Sequence, residues 1–275
     1  MATYVVGDIQ GCFESFQALL QRMKWSNNDE LWIVGDLVNR GPRSADVLRW
    51  CVANERQVRC VLGNHDIHLL ACAGGKTLGK KDTLEECLSA PDAPDLIRWL
   101  RRQPILFERG DRAMVHAGLN PSWSWDEARV RARALESTLR TEGALQALNY
   151  AAKESTPALG WLDDLGWFTR TRMITRSGDR DEYFKGSLGQ EGQSGLTPWF
   201  EIYEERREKD ILKYPKVLFF GHWSALGIYK GEGIFALDSG CIWGRYLSAV
   251  RLEDGAIFQQ PTIEKALTPK NQRLS

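Results

Sequence analysis

A chain of 275 residues is long enough to bury a sizeable core as one large domain or two small ones. Its 36 Lys and Arg balance 36 Asp and Glu, which argues against the global basic excess of a non-specific nucleic-acid binder. No apolar run approaches the roughly 18 residues needed to cross a bilayer, and six cysteines without a CxxC pair exclude a zinc ribbon.

Along the chain, Tyr4-Val5-Val6 reads as a first buried strand, preceded by no basic leader. The absence of a secretory signal predicts a cytoplasmic protein with reduced thiols. Phe13, Phe16, Leu19, Leu20 and Met23 share one helical face. A second strand comes at Leu31 to Val34. Next is a helix started by Pro42 and Ser44 that carries Val47, Leu48, Cys51 and Val52, and then a third strand at Val58 to Leu62. Strand, helix, strand, helix, strand is the βαβ signature of an α/β protein.

From about 66 to 103 the pattern turns helical, as it does again from about 124 to 152; both stretches read as helical insertions or a cap. Ala113 to Val115 and Val217 to Phe220 are further buried strands. Residues 178–195 are Gly-rich and read as a mobile loop. Final strands are expected at Gly233 to Leu237, Tyr246 to Leu252 and Ala256 to Gln259, with 262–275 a flexible tail.

The residues just past each strand carry the chemistry. Val6 leads into Gly7-Asp8, Val34 into Gly35-Asp36, Leu62 into Gly63-Asn64-His65, Val115 into His116, and Phe220 into Gly221-His222. Positions 8, 36 and 64 are 28 residues apart, about one βαβ unit, which in a parallel sheet sets three strand ends side by side. Asp8, Asp36, Asn64, His116 and His222 are therefore expected to converge. Two carboxylates, an amide and two imidazoles are mixed N/O donors of the kind that suits Mn, Fe, Co, Ni or Zn. Five donors exceed what one tetrahedral ion needs, so two divalent ions about 3.5–4 Å apart are expected, with Asp36 the best candidate to bridge them.

The motifs GDIQG (7–11), GDLVNRG (35–41), GNHD (63–66), HAG (116–118) and GHW (221–223) resemble those of the metallophosphoesterases of the protein Ser/Thr phosphatase group. RRQPIL (101–106), FTRTRMIT (168–175), TPWF (197–200), GHWSALG (221–227) and ALDSGCIWG (236–244) narrow the resemblance to the symmetrical dinucleoside tetraphosphatases within it, which hydrolyse diadenosine tetraphosphate to two ADP. The resemblance implies a metallophosphoesterase-type β-sandwich flanked by helices. It also implies a single catalytic domain over 1–261, with helical insertions at about 66–103 and 124–176. Asp8 and Gln10 would bind the first ion, Asp36 would bridge, and Asn64, His116 and His222 would hold the second. His65 would be the general acid, Arg40 a phosphate clamp, Asn39 a neighbouring substrate contact, and either Arg170 or Arg172 a second phosphate-binding arginine.

Two departures from the phosphatase pattern matter. Gln10 stands where the group has His, and its harder amide oxygen favours Mn²⁺ or Co²⁺. Asn39 stands where protein phosphatases have the Asp that orients the acid, so the pKa of His65 should fall and the ring should act partly as a neutral donor. The partners implied are a dinucleoside polyphosphate and, with the same chemistry, dinucleotide-capped RNA 5′ ends; a monomer and no membrane are expected. Alternatives are a protein Ser/Thr phosphatase and a nucleotide-binding module that has lost catalysis. Trp199, Trp223 and Trp243 are candidates to stack on a base, each more readily explained as core. Arg129, Arg131 and Arg133 read as a solvated face, Cys12 as packing, and Asp238 as structural.

Overall fold

The computed structural model describes residues 1–153, 160–181, 183–190, 195–209, 213–265 and 267. β1 (Thr3–Val6), α1 (Phe13–Met23), β2 (Glu30–Ile33), α2 (Ser44–Ala53) and β3 (Val58–Cys60) form the expected βαβαβ run, with β1–β2 and β2–β3 parallel. α3 (Asn64–Ala73), α4 (Glu85–Ser89) and α5 (Ala93–Leu100) then lead to the hairpin of β4 (Leu106–Arg109) and β5 (Arg112–Val115). After it come α6 (Trp125–Arg140), α7 (Ala144–Lys153) and α8 (Gly160–Arg170). β6 (Met173–Ile174), β7 (Arg180–Asp181) and β8 (Thr197–Pro198) form a small antiparallel sheet before α9 (Trp199–Lys209). The chain ends through β9 (Val217–Phe220), β10 (Tyr229–Lys230), β11 (Ile234–Ala236), β12 (Tyr246–Arg251) and β13 (Ile257–Pro261).

These strands build two five-stranded sheets, ordered β13-β12-β1-β2-β3 and β10-β11-β9-β5-β4. Side-chain alternation makes them a sandwich. Val5, Trp32, Val34 and Val61 of the first sheet meet Met114, Phe219, Phe235 and Leu237 of the second in one buried cluster. The intervening residues Tyr4, Val6, Leu31 and Ile33 point outward into the larger core, with Phe16 and Leu19 of α1 and Val47 and Leu48 of α2. Burial on both faces is why these strands read as unbroken apolar runs.

Local signals explain several boundaries. Ser124 caps α6 by accepting from Glu127 N–H at 3.2 Å while its own N–H donates to the Glu127 carboxylate at 2.7 Å, a reciprocal capping box. Ser44 opens α2 as expected, yet its hydroxyl accepts from Asn39 N–H at 2.9 Å and serves the loop before the helix.

The stretch 178–195 is more ordered than its composition predicts. It contributes β7, the Trp223 indole donates to Gly186 O at 2.8 Å, and Ser187 donates to Ala225 O at 3.1 Å. Its residues 182 and 191–194 lie outside the described residues. The start of the segment read as a flexible tail makes specific bonds: Ile263 N–H donates to Ser15 Oγ at 2.9 Å, and Glu264 accepts from Ser15 N–H at 3.1 Å. Residues 266 and 268–275 lie outside the described residues. All six cysteines are free thiols.

Candidate metal centre

β1, β2 and β3 run parallel in one sheet, and β5, β9 and β11 run parallel in the other. Their C-terminal ends share one edge of the sandwich, and the residues after them form the site. Asp36, His116 and His222 bring ligand atoms within 4.8 Å of one another. Asp8 joins them, since its carboxylate accepts from His222 N–H at 3.1 and 3.2 Å. Asn64 Oδ1 stands 3.2 Å from His116 Nε2, and Asp36 Oδ1 stands 3.5 Å from the same nitrogen. The Gln10 amide lies 3.5 Å from Asp36 Oδ2. All six residues assigned as metal ligands from the sequence thus lie together, drawn from two sheets rather than from one.

The backbone at this edge is unusual. Gln10, Asp36, Asn39, Arg40 and His222 have φ of 48°, 50°, 75°, 71° and 63°, a region that non-glycine residues seldom enter. Lys24, which caps α1, is the other such residue among the described residues. Strain concentrated at one site is characteristic of function. Close packing holds it: a Cβ on Gly63 would strike the Asp36 carboxylate, one on Gly221 would strike that of Asp8, and one on Gly35 would stand 2.8 Å from His116 Nδ1.

Hydrogen bonds set the tautomers. His116 Nδ1 donates to Val34 O at 2.8 Å, leaving the Nε2 lone pair facing the oxygens of Asp36 and Asn64. His222 Nε2 donates to Arg170 O at 3.1 Å, leaving Nδ1 as its free lone pair. Burial pushes the His116 pKa down to about 4, and burial with the Arg172 charge pushes that of His222 well down, so both rings are neutral, as metal ligands are.

The carboxylates are displaced the opposite way. Burial raises Asp36 to about 8 against the bond from His65 N–H, and burial together with Asp238 and Asp36 raises Asp8 well above its usual range. Several buried acids facing unprotonated imidazole nitrogens form a donor set that divalent cations would reconcile, and the residues fit such ions.

The remaining assignments divide. His65 lies with Nε2 4.0 Å from Asp36 Oδ2, and burial with the Arg40 charge pushes its pKa down to about 3. Arg40 is partly exposed and donates from Nη1 to Lys81 O at 3.0 Å. Arg172 packs against the acids, donating to His222 O at 3.1 Å, while Arg170 is exposed at the end of α8.

Asn39, read from the sequence as a substrate contact, is fully buried, and its amide is committed to Arg40, Thr83, His65 and Asp82. Asp238, expected to be structural, is part of the acid cluster: it lies just past β11 and acts electrostatically on Asp8, Asp36 and Arg172. Asp66, the last residue of GNHD, has a bracing role that motif matching misses, although an acid three residues after the Gly63 that starts α3 is a recognisable capping signal. Asp82 has no motif at all. Trp199 and Trp223 are buried in core, whereas Trp243 is 36% exposed. Arg129 and Arg131 pair with Glu108 and Asp164 and so tie α6 to its neighbours while staying partly exposed, and Arg133 is exposed.

The model of the calcineurin-like phosphoesterase family matches residues 1–226. Three symmetrical bis(5′-nucleosyl)-tetraphosphatases are similar throughout. That of Dechloromonas aromatica is 45% identical over 94% of this chain and 95% of the relative, and that of Chromobacterium violaceum 42% over 95% of both. That of Vibrio campbellii is 38% identical over 96% of this chain and all of the relative. Among solved structures, a candidate diadenosine tetraphosphatase superposes with a TM-score of 0.60 at 24% identity, covering 94% of this chain and 93% of the other. A cold-active protein-tyrosine phosphatase of a psychrophilic Shewanella does so with 0.58 at 17%, covering 94% and 80%. These two establish the likeness of fold.

Proposed function

The chain belongs to the calcineurin-like phosphoesterase family and, within it, to the symmetrical bis(5′-nucleosyl)-tetraphosphatases, and from that premise we propose that it hydrolyses diadenosine tetraphosphate to two ADP. The observation that carries this reading is the convergence of Asp8, Asp36, Asn64, His116 and His222 in a chain whose tetraphosphatase relatives match it almost end to end. Relatives of that name along the whole chain disfavour the protein phosphatase and binding-module alternatives.

Two divalent ions would be held by Asp8, Gln10 and Asp36 on one side and by Asp36, Asn64, His116 and His222 on the other. When bound, they supply Lewis acidity toward phosphoryl oxygens and acidify water for attack on phosphorus at neutral pH. The oxygen-rich first half of the set favours Mn²⁺ or Co²⁺.

The chain's own groups do the rest. Arg172, half-buried beside the acids, orients His222 through its carbonyl and adds a fixed positive charge beside the reacting phosphate. Arg40, partly exposed, and Arg170, exposed, engage the polyphosphate as planar forks. His65 presents its Nε2–H toward the site and donates a hydrogen bond to the oxygen leaving with ADP. The same chemistry extends to dinucleotide-capped RNA 5′ ends. Among the described residues no helix is long and apolar enough to cross a membrane, and a cytoplasmic monomer completes the reading.

The test is product analysis after chelation and re-addition of Mn²⁺ or Co²⁺. Metal-dependent ADP as the sole product is expected. AMP with ATP would move the attacked phosphorus and overturn the symmetric assignment; nucleotide binding without turnover would overturn the enzyme reading.

A further inference from the structure

Asn39 stands at the centre of a hydrogen-bond network that replaces a direct carboxylate contact to His65. Its Oδ1 accepts from Arg40 N–H at 2.8 Å and from Thr83 N–H at 3.1 Å. Two backbone donors on one side of the amide fix which end is oxygen. The NH₂ group therefore faces the other way, 3.0 Å from His65 Nδ1 and 3.0 Å from Asp82 Oδ1. It has two hydrogens and two acceptors, one for each. His65 Nδ1 must then accept, which places the ring proton on Nε2, the nitrogen 4.0 Å from Asp36 Oδ2 at the metal centre.

Asp82 is anchored independently. Its Oδ2 accepts from His68 Nε2 at 2.7 Å and from Gly79 N–H at 2.7 Å. Burial alone would raise its pKa, but the bonds from His68, Asn39 and Gly79 outweigh that and hold it at about 2, so it is a carboxylate throughout the working range. The segment around it clamps the Asn39 loop: Arg40 Nη1 donates to Lys81 O at 3.0 Å and Thr83 Oγ1 to Gly41 O at 2.8 Å.

We propose that Asp82 is a positioning residue which, acting through Asn39, holds His65 as its Nε2–H tautomer with that proton aimed at the leaving oxygen. The proposal rests on the reading of His65 as hydrogen-bond donor to the leaving oxygen, but the tautomer can be observed without activity. An amide N–H touches His65 Nδ1 and the Asp82 carboxylate stands one group further away, so the ring's Nε2–H faces the metal centre.

The chain has only four histidines, so ¹⁵N-histidine spectra of the Mg²⁺-loaded protein resolve each ring's tautomer. The wild type should show His65 with Nδ1 unprotonated and Nε2 protonated. Asp82→Ala should move both His65 nitrogens toward the averaged values of exchanging tautomers, with Asp82→Asn restoring most of the wild-type pattern. Asn39→Ala, a second variant that leaves the Asp82–His68 pair in place, should move His65 and leave His68 unmoved. A His65 ring protonated on Nδ1 in the wild type, or unchanged in Asp82→Ala, would overturn the proposal. Turnover is a separate readout: kcat for diadenosine tetraphosphate should fall about tenfold in Asp82→Ala with KM unchanged, as for other outer partners of catalytic groups. A tautomer shift with kcat unchanged would uphold the positioning by Asp82 and remove His65 as the hydrogen-bond donor to the leaving oxygen.

Discussion

The carboxylate of Asp66 accepts from Leu37 N–H at 2.9 Å, joining two motifs that lie 29 residues apart in the chain. Its second oxygen accepts from Gly63 N–H at 2.9 Å, so one buried side chain ties the loop that carries Asp36 to the helix start that carries Asn64 and His65. Asp66→Ala strands two buried N–H groups, each at ~1–3 kcal/mol. It should lower the urea midpoint and weaken metal binding by about 10–100-fold, since the ligands on both loops lose their brace. Asp66→Asn should fall between, because one amide oxygen replaces two carboxylate oxygens. An Asp66→Ala protein that unfolds at the wild-type urea concentration would remove this account.

Metal binding should depend on pH through the acids rather than the histidines. Burial raises Asp36 to about 8 and pushes Asp8 and Asp238 upward as well, against about 3.9 for an Asp in an unfolded chain. A carboxyl whose folded pKa lies above its unfolded one binds more protons in the native state, so without metal its contribution to stability falls as pH rises from about 4 through about 8. His116, at about 4, is already neutral across most of that window. Ions therefore compete chiefly with protons on the carboxylates, and the Tm increment at fixed Mn²⁺ should grow from about pH 6 to about pH 8. Calorimetry with chelator and with Mn²⁺ at three pH values checks it; equal increments would mean the acids are charged before the ions arrive.

Strand ends are legible in the sequence because of how this fold buries its strands. Val6, Val34 and Val115 are each fully buried, so an acid or histidine arriving next is conspicuous, and the regular spacing of Asp8, Asp36 and Asn64 comes from parallel β1, β2 and β3. That His116 and His222 belong to a second sheet is not legible from local pattern, because β5 and β9 pair across about a hundred residues of intervening chain. β4 escapes notice because its sequence Leu-Phe-Glu-Arg becomes progressively exposed along an edge. The left-handed backbone at Asp36 and His222 is imposed by packing around Gly63 and Gly221, which no propensity reveals. Asp82 acts across 43 residues through a single amide bond and leaves no periodic trace.

Gly221 tests how tightly the cradle is built. A Cβ there would strike the Asp8 carboxylate and stand 2.7 Å from Val34 Cγ2, while Gly221 N–H is already committed to His116 O at 2.8 Å. The Asp8 wall does not yield easily, since the adjacent His222 N–H already holds that carboxylate in place. Gly221→Ala should displace Asp8, lower metal affinity by about 10–100-fold, and recover part of its activity at high Mn²⁺. Calorimetric Mn²⁺ titration of the variant decides the point, and wild-type affinity would show that the carboxylate has room to move.

Trp243 is the one of the three candidate stacking tryptophans that burial leaves available. Trp199 and Trp223 are enclosed, whereas Trp243 stands 36% exposed at the end of the short turn Cys241–Trp243, five residues beyond Asp238 at the metal centre. Glycines at 240 and 244, with φ of 75° and 82°, fold that turn tightly and set the ring at its tip. An adenine stacked on such a face gains ~1–3 kcal/mol. Trp243→Ala should therefore raise KM for diadenosine tetraphosphate about tenfold with little change in kcat, and Trp243→Phe should recover most of the loss. Inorganic tetraphosphate, which has no base to stack, should inhibit wild type and Trp243→Ala with the same Ki. An unchanged KM for the dinucleotide would place the base elsewhere; a Ki that rises with KM would mean the turn acts on the phosphates instead.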